Sequence, residues 1–304
     1  MGRVSTLDKL SVRRGPYPRR GEDGDDLACP KGRGKAGGQQ AERKQEFTGE
    51  ANNMNKIYWD KDKITILTDQ IEAVEHKHYA MQLFLGLEKD LNIDVSGKML
   101  NCNCILINQN ICHSFSTGNR LHISIIIEPT SDFAEQLRVI MGENEYCIFD
   151  TTSRNDVVEH GYNLLHSDDL EIYRAFMQTL YHFLGIIEND RQFDDRIREL
   201  LHHIENCSCD EHSISSFANM VSLSSSRLSH LFREQVGIPL KSYIQLHQMQ
   251  KAFLALLNGK NITEASMLAD FDTPSHFAAV TKRMMGMPAS LSLKNSVFLK
   301  VFHA

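Results

Sequence analysis

The stretch Leu223-Ser224-Ser225-Ser226-Arg227-Leu228-Ser229-His230-Leu231-Phe232-Arg233-Glu234-Gln235-Val236-Gly237 decides the reading of the chain. Leu228, Leu231 and Phe232 recur at helical spacing and share one inward face, and Ser224 stands where a helix needs its N-cap. Just upstream, Ile214, Phe217, Ala218 and Val221 make another such face, opened by Ser213, and Ser222-Leu223-Ser224 separates the two. Helix, short turn, helix is the geometry that holds one helix in a DNA major groove, which is about 12 Å wide. The outward side of the second helix offers Ser225, Ser226, Arg227, Ser229, His230 and Arg233, short donors and cations suited to base edges and phosphates.

The same pattern returns further on. A long helix is expected through Leu240, Tyr243, Ile244, His247, Ala252, Leu256 and Leu257, with Gly259 placed to end it. Ile262, Ala265, Ser266 and Ala269 then form a short helix, and Asp270-Phe271-Asp272-Thr273 the turn. Pro274 suits a first helical position, with Phe277, Val280 and Met284 inward and Ser275, His276, Lys282 and Arg283 available to DNA. The two reading helices begin about 49 residues apart. One helix-turn-helix match can be plain three-helix packing; two in tandem with polar outer faces argue for nucleic acid.

Charge and composition agree. Residues 1–53 carry 11 basic and 8 acidic residues, residues 54–206 carry 13 and 25, and residues 207–304 carry 9 and 6. An acidic middle beside a mildly basic end fits a sensor joined to a nucleic-acid binder. The best apolar run, Ile123 to Ile127, is short, no stretch approaches the eighteen apolar residues of a membrane span, and the first thirty residues lack the apolar stretch of a secretory signal. A cytoplasmic location follows as the expectation, with the seven cysteines as reduced thiols. Residues 1–53 hold nine of the eighteen glycines and read as a disordered tail, and globular composition beginning after Met54 suggests a natural start there.

From Ile57 to Phe149 the chain reads as short strands and turns, a closed or sandwiched β domain. Leu170, Tyr173, Met177, Leu180, Tyr181, Leu184 and Ile187 then trace one amphipathic helix, whose stripe serves either its own domain or a dimer.

The C-terminal residues resemble the arabinose-operon regulator (AraC-type) transcription factors. Leu223 to Gly237 resembles that family's first recognition helix; Tyr243-Ile244 with Ala252 resembles its connecting helix. Phe271-Asp272-Thr273-Pro274-Ser275-His276-Phe277, Lys282-Arg283 and Gly286 resemble the second motif, and Asp195-Arg196-Ile197, Leu200-Leu201 and Ile204 the opening helix. The resemblance covers about residues 193–290 and implies a bacterial regulator of transcription that binds double-stranded DNA, answers to a small-molecule effector, forms a homodimer and, as an activator, meets RNA polymerase. Against the family pattern, Ala279 replaces an arginine, Asp270 a glycine, Thr281 an aromatic residue and Gln248 a basic one, while Pro288 lies one place early. The first motif is therefore expected to read bases and the second to anchor on phosphates.

Upstream, His76-Lys77-His78, Gln82 and His113 resemble the paired motifs of cupin barrels. On a strand His76 and His78 would share a face, and with His113 could present three nitrogens to iron, zinc or manganese. Gln82 stands where metal cupins carry glutamate, so effector-pocket histidines are the plainer reading and no metal or other cofactor is expected. The architecture expected is therefore α+β and multidomain: a tail (1–53), a cupin-like β-barrel sensor (54–163), a linker or dimerisation helix (164–192), an all-α domain with two helix-turn-helix motifs (193–293) and a C-terminal tail (294–304). It is expected not to be an enzyme. The rivals are a metal-dependent cupin oxygenase with an appended helical domain, and a regulator controlled by a protein partner.

Overall fold

The computed structural model describes residues 12–16, 55–60, 62–69, 73–116, 118, 120–151, 155–187, 193–206, 213–236, 239–285 and 296–300. Its N-terminal domain is built on two sheets. The strands in chain order are β1 (Val12–Arg14), β2 (Asn55–Trp59), β3 (Lys63–Thr68), β4 (Ala73–His76), β5 (Met81–Gly86), β6 (Leu91–Val95), β7 (Lys98–Cys102), β8 (Cys104–Ile107), β9 (His113–Ser116), β10 (His122–Ile127), β11 (Tyr146–Phe149) and β12 (Ser296–Lys300). The larger sheet runs β1-β11-β8-β5-β10-β3-β2-β12 and the smaller β4-β9-β6-β7. Among the described residues the strands form these two sheets, with no ladder joining them into one closed barrel.

Period-two alternation explains the layering. Leu83, Leu85, Ile123, Ile125 and Ile127 point to one face of the larger sheet and are buried under three helices, α1 (Asp132–Met141), α2 (Asn155–Asn163) and α3 (Leu170–Leu184). Phe84, Ile105 and Ile107 point the other way and meet Leu91, Ile93 and Phe115 of the smaller sheet. Helix α3 is locked onto its sheet by Tyr173, which stacks on Tyr58 with ring centroids 4.5 Å apart and shares a 3.0 Å hydrogen bond with Thr65. Lys56, buried in β2, donates to the carbonyls of Leu164 and Ser167 at 2.9 and 3.0 Å and ties down the turn before α3. Tyr173, Phe176, Met177, Leu180 and Leu184 therefore lie in the domain's own core. The amphipathic stripe is spent there, so it is no dimer surface.

Two segments expected in terminal tails contribute strands. Val12–Arg14 pairs antiparallel with β11, and Ser296–Lys300 pairs parallel with β2. Edge pairing uses main-chain N–H and C=O groups, which carry no side-chain pattern for a sequence reading to find. At the first of these edges a Cβ on Gly15 would lie 2.4 Å from the Tyr146 ring, so only glycine lets the backbone approach so closely.

The C-terminal domain is helical: α4 (Asp195–Asn206), α5 (Ile214–Met220), α6 (Ser225–Val236), α7 (Leu240–Leu257), α8 (Ile262–Leu268) and α9 (Pro274–Met285). Ile197, Leu200 and Ile204 of α4 pack with Phe217, Leu228, Phe232, Leu240 and Tyr243 around the first motif. The second motif has a different neighbour. Met249, Ala252 and Phe253 of α7, with Phe271, Phe277 and Val280, share an apolar cluster with Ile57, Trp59 and Ile66 of the sheet domain.

Candidate nucleic-acid interface and effector site

Local chemistry sets the first motif. Ser213 caps α5 by accepting from the Ser216 N–H at 3.1 Å. Ser222 turns the chain at φ 54°, and Ser224 caps α6 by accepting from the Arg227 N–H at 3.2 Å. Leu228, Leu231, Phe232 and Val236 are buried, which leaves Ser225, Ser226, Arg227, His230 and Arg233 exposed along the opposite side. Ser229 is half-buried and its hydroxyl donates to the Ser225 carbonyl at 2.8 Å. Its proton is thus engaged within the helix, which removes it from the donors expected to face DNA. Behind α6, Arg196 grips Asp194 at 2.9 and 2.8 Å, and the Asp194 N–H donates to Gln235 at 3.2 Å. Hydrogen bonds from Arg196 hold the Asp194 carboxyl down at about 2, with the Arg196 and Arg227 charges adding to the effect.

The second motif is built with different caps. Asn261 and Glu264 form a capping box at the start of α8. Asp270 adopts φ 59° in the turn, and Thr273 caps α9 by accepting from the His276 N–H at 3.0 Å. Gln248 reaches across from α7 and donates to the Asp270 carbonyl at 2.9 Å, so it braces this turn. Ser275, His276, Ala278, Ala279 and Lys282 are exposed. His276 lies edge-on to Phe271 and 3.4 Å from the Asp272 carboxylate, and the side chain of Arg283 lies outside the described residues.

In the sheet domain the four expected pocket residues come together. His76 and His113 sit opposite each other in the β4–β9 ladder, and ring centroids lie 4.4 Å (His76 to His113), 5.1 Å (His78 to His113) and 5.3 Å (His76 to His78) apart. Gln82 Oε1 lies 3.1 Å from His78 Nε2 and 2.9 Å from His113 Nε2, while Gln82 Nε2 donates to Ser124 at 2.9 Å. All four are buried, and burial together with the neighbouring rings pushes His76 down to about 3 and His113 well below its ordinary value. Cys102, Cys104 and Cys147 are buried free thiols, and burial pushes Cys102 up to about 12, with the Asp90 charge adding to it. Such thiols are inert near neutral pH. Cys112 departs from the expectation of reduced thiols, being disulfide-bonded.

A cleft of about 610 Å³, part of it open to solvent, separates this domain from α7. Trp59, Lys63 and His78 line one side, and Leu246, Met249 and Gln250 the other. Burial alone would lower the pKa of the Lys63 ammonium, but Asp62, Tyr181, Tyr173 and Asp60 together hold it above its usual value.

The family described as "Helix-turn-helix domain" matches residues 217–294. The arabinose operon regulatory proteins of Salmonella typhimurium and Escherichia coli K12 are each 35% identical over 99 residues. The C-terminal unit is an AraC-type helix-turn-helix domain. The chain spans about a third of those two relatives, 35% and 34% of their lengths. A longer match joins it to the probable transcriptional regulator LumQ of Photobacterium leiognathi, 24% identical over 70% of this chain and 88% of that one. In fold, apo ToxT from Vibrio cholerae aligns over 77% of this chain and 98% of its own at a TM-score of 0.53 and 10% identity. A second ToxT structure aligns over 78% and 98% at 0.50 and 13%. A β-rich domain followed by an AraC-type domain is thus the arrangement of the whole fold. No helix among the described residues is long and apolar enough to cross a membrane.

The cleft in front of the AraC-type domain was missed in the sequence. Asp60-Lys61-Asp62-Lys63 looks like a solvated turn, whereas the Lys63 ammonium is buried beside the Phe133 and Tyr181 rings of α1 and α3 and pairs with Asp60 and Asp62. Apolar residues of α7 beyond those that complete the first motif, Met249 and Phe253, were the available signal.

Proposed function

We propose that this protein is a sequence-specific DNA-binding regulator of transcription whose sheet domain takes a small-molecule effector in the cleft against α7. The observation that carries the reading is the exposed polar face of α6, Ser225, Ser226, Arg227, His230 and Arg233, held out by a fully buried opposite face. With α6 and α9 both projecting from α7, the domain would engage two successive major grooves, about 34 Å apart along one face of DNA. Arg227 and His230 would read base edges; Arg233, Lys282 and Arg283 would hold phosphates, with Ser225, Ser226, Ser275 and His276 near the backbone. An effector between Lys63 and Met249 would act by favouring one packing of α7 over another. A homodimer would need a surface other than α3, and RNA polymerase would be the further partner of an activator.

The test is binding-site selection from random duplex DNA, followed by titration of the selected site. Arg227→Ala and His230→Ala are expected to relax specificity at a base pair, at about 1–3 kcal/mol each, and Arg233→Ala to weaken all sequences alike and lower the salt slope by about one. Selection of no sequence, or variants that bind like the parent, would defeat the reading.

A further inference from the structure

We propose that the cleft between the sheet domain and α7 binds a small organic cation, a protonated amine on an apolar or aromatic body, with the Glu128 carboxylate as its counter-charge. The inference rests on the reading of this cleft as the effector site and names the chemistry of the effector. Asp60, Asp62, Glu128 and Lys63 line the cleft, three carboxylates against one ammonium. That ammonium is already committed. Lys63 Nζ lies 3.2 Å from the Asp60 carboxylate and 2.5 Å from that of Asp62, beside the rings of Phe133 and Tyr181. An anionic ligand would have to displace one of these aspartates to reach it.

Glu128 is the charge left over. Its Oε1 accepts from the Thr130 N–H at 3.4 Å, and the Thr130 hydroxyl adds a second bond. Among the described residues it forms no ion pair, and the charges acting on it, those of Asp62 and of Glu205 on α4, are both negative. The other titratable groups around it are Tyr243 and His247 on α7, His78 after β4, and the Lys63 ammonium with its two aspartates. A half-buried carboxylate among anions is stabilised by a cation. The rest of the wall is apolar, with Trp59, Ile64, Ile126, Leu246 and Met249. A volume of about 610 Å³ lies within the ordinary range for a small-molecule site, about 300–1,000 Å³, and an indole in the wall suits an organic cation. A metal ion suits the cleft less well. Among the described residues the side chains whose ligand atoms converge within 4.8 Å are the three histidines, and none of these carboxylates joins such a group. Because Glu128 and Glu205 belong to different domains, a bound cation would also relieve the repulsion between them and favour the packing of α4 and α7 on the sheet domain.

The experiment titrates the full chain, without DNA, with three probes that share one body: phenylbutylamine, phenylbutanol and phenylbutyrate, read by calorimetry at about pH 8. The amine is expected to bind at least about tenfold more tightly than the alcohol, the margin of a charge-assisted bond over a neutral one, and the carboxylate more weakly than either. Glu128→Gln should bring the amine down to the level of the alcohol and leave the alcohol unchanged, which shows that the variant is folded. In the parent the margin should grow from about pH 6 to about pH 8, because burial pushes the Glu128 carboxyl up to about 7 and the cation needs it ionised. In Glu128→Gln no such growth is expected. Gln250→Trp, in the α7 wall, should weaken amine and alcohol alike. Equal affinities for amine and alcohol in the parent, tighter binding of the carboxylate, or a margin kept by Glu128→Gln would each overturn the proposal and leave the cleft an effector site of other chemistry. Binding of none of the three probes would sink the cleft reading and this proposal together, whereas the DNA-binding reading is decided by its own titration.

Discussion

Glu128 lies where the sheet domain meets the helical one, and its ionisation should weaken the fold. Burial pushes its carboxyl from the ordinary 4.5 up to about 7; the Thr130 N–H and hydroxyl oppose the shift, while the charges of Asp62 and of Glu205 on α4 add to it. Tyr243 on α7 is pushed well above its usual value by burial first, then by Glu128 and Glu205. Between pH 4.5 and about 7 the folded protein keeps a proton that the unfolded chain has released. Stability from this group is therefore complete below the lower value and lost as pH rises through the upper one. The full shift corresponds to about 3 kcal/mol, and the side chain's partial exposure reduces this to about 1–2 kcal/mol. Thermal unfolding of the parent and of Glu128→Gln at about pH 5 and about pH 8 measures it, since a neutral amide has no proton to lose. The parent should lose a few degrees more than the variant across that interval. Parallel pH profiles for the two proteins would refute the argument.

Three further outcomes are expected. Gly161→Ala should cost about 1–3 kcal/mol in chemical denaturation, because its Cβ would meet Leu87 at 2.9 Å and Ile123 at 3.0 Å in the core under α2. Asp270→Gly should raise the melting temperature and Asp270→Ala lower it, since φ is 59° and alanine there carries about 1–2 kcal/mol of strain; equal effects would show that the turn is not strained. Thr281→Val should stabilise by about 1 kcal/mol, because the buried Oγ1 has no hydrogen-bond partner and valine keeps the shape; a loss of stability in calorimetry would point to a bond that the hydroxyl makes.

Much of the helical domain was legible because its caps and buried faces are local. Ser213, Ser224 and Asp270 do what their residue types suggested, and the inward residues of α5 and α6 are those the spacing indicated. Periodicity says that a face is buried, however, not against what. Phe277 and Val280 looked like the private core of the second motif, and they share their cluster with Trp59. The stripe of α3 was compatible with a dimer until Tyr58 and Thr65 were found against Tyr173. Helix α1 was read as part of a strand region, although Phe133, Ala134, Leu137, Ile140 and Met141 carry helical spacing and Ser131 caps them. Of the histidine cluster, the residues were visible in sequence; their mutual distances depend on the β4–β9 register, which no local pattern specifies.

Helix α7 has a consequence for dissection of the molecule. Leu240, Tyr243 and Ile244 belong to the first motif's core, whereas Met249, Ala252 and Phe253 belong to the cluster built with the sheet domain. One continuous helix is thus pledged to two cooperative units. A fragment beginning near Phe193 would bare the second set, and should self-associate unless Met249 and Phe253 are made polar. In the intact chain, amide exchange along α7 should break in two, its first half opening with α6 and its second half with the strand that carries Trp59.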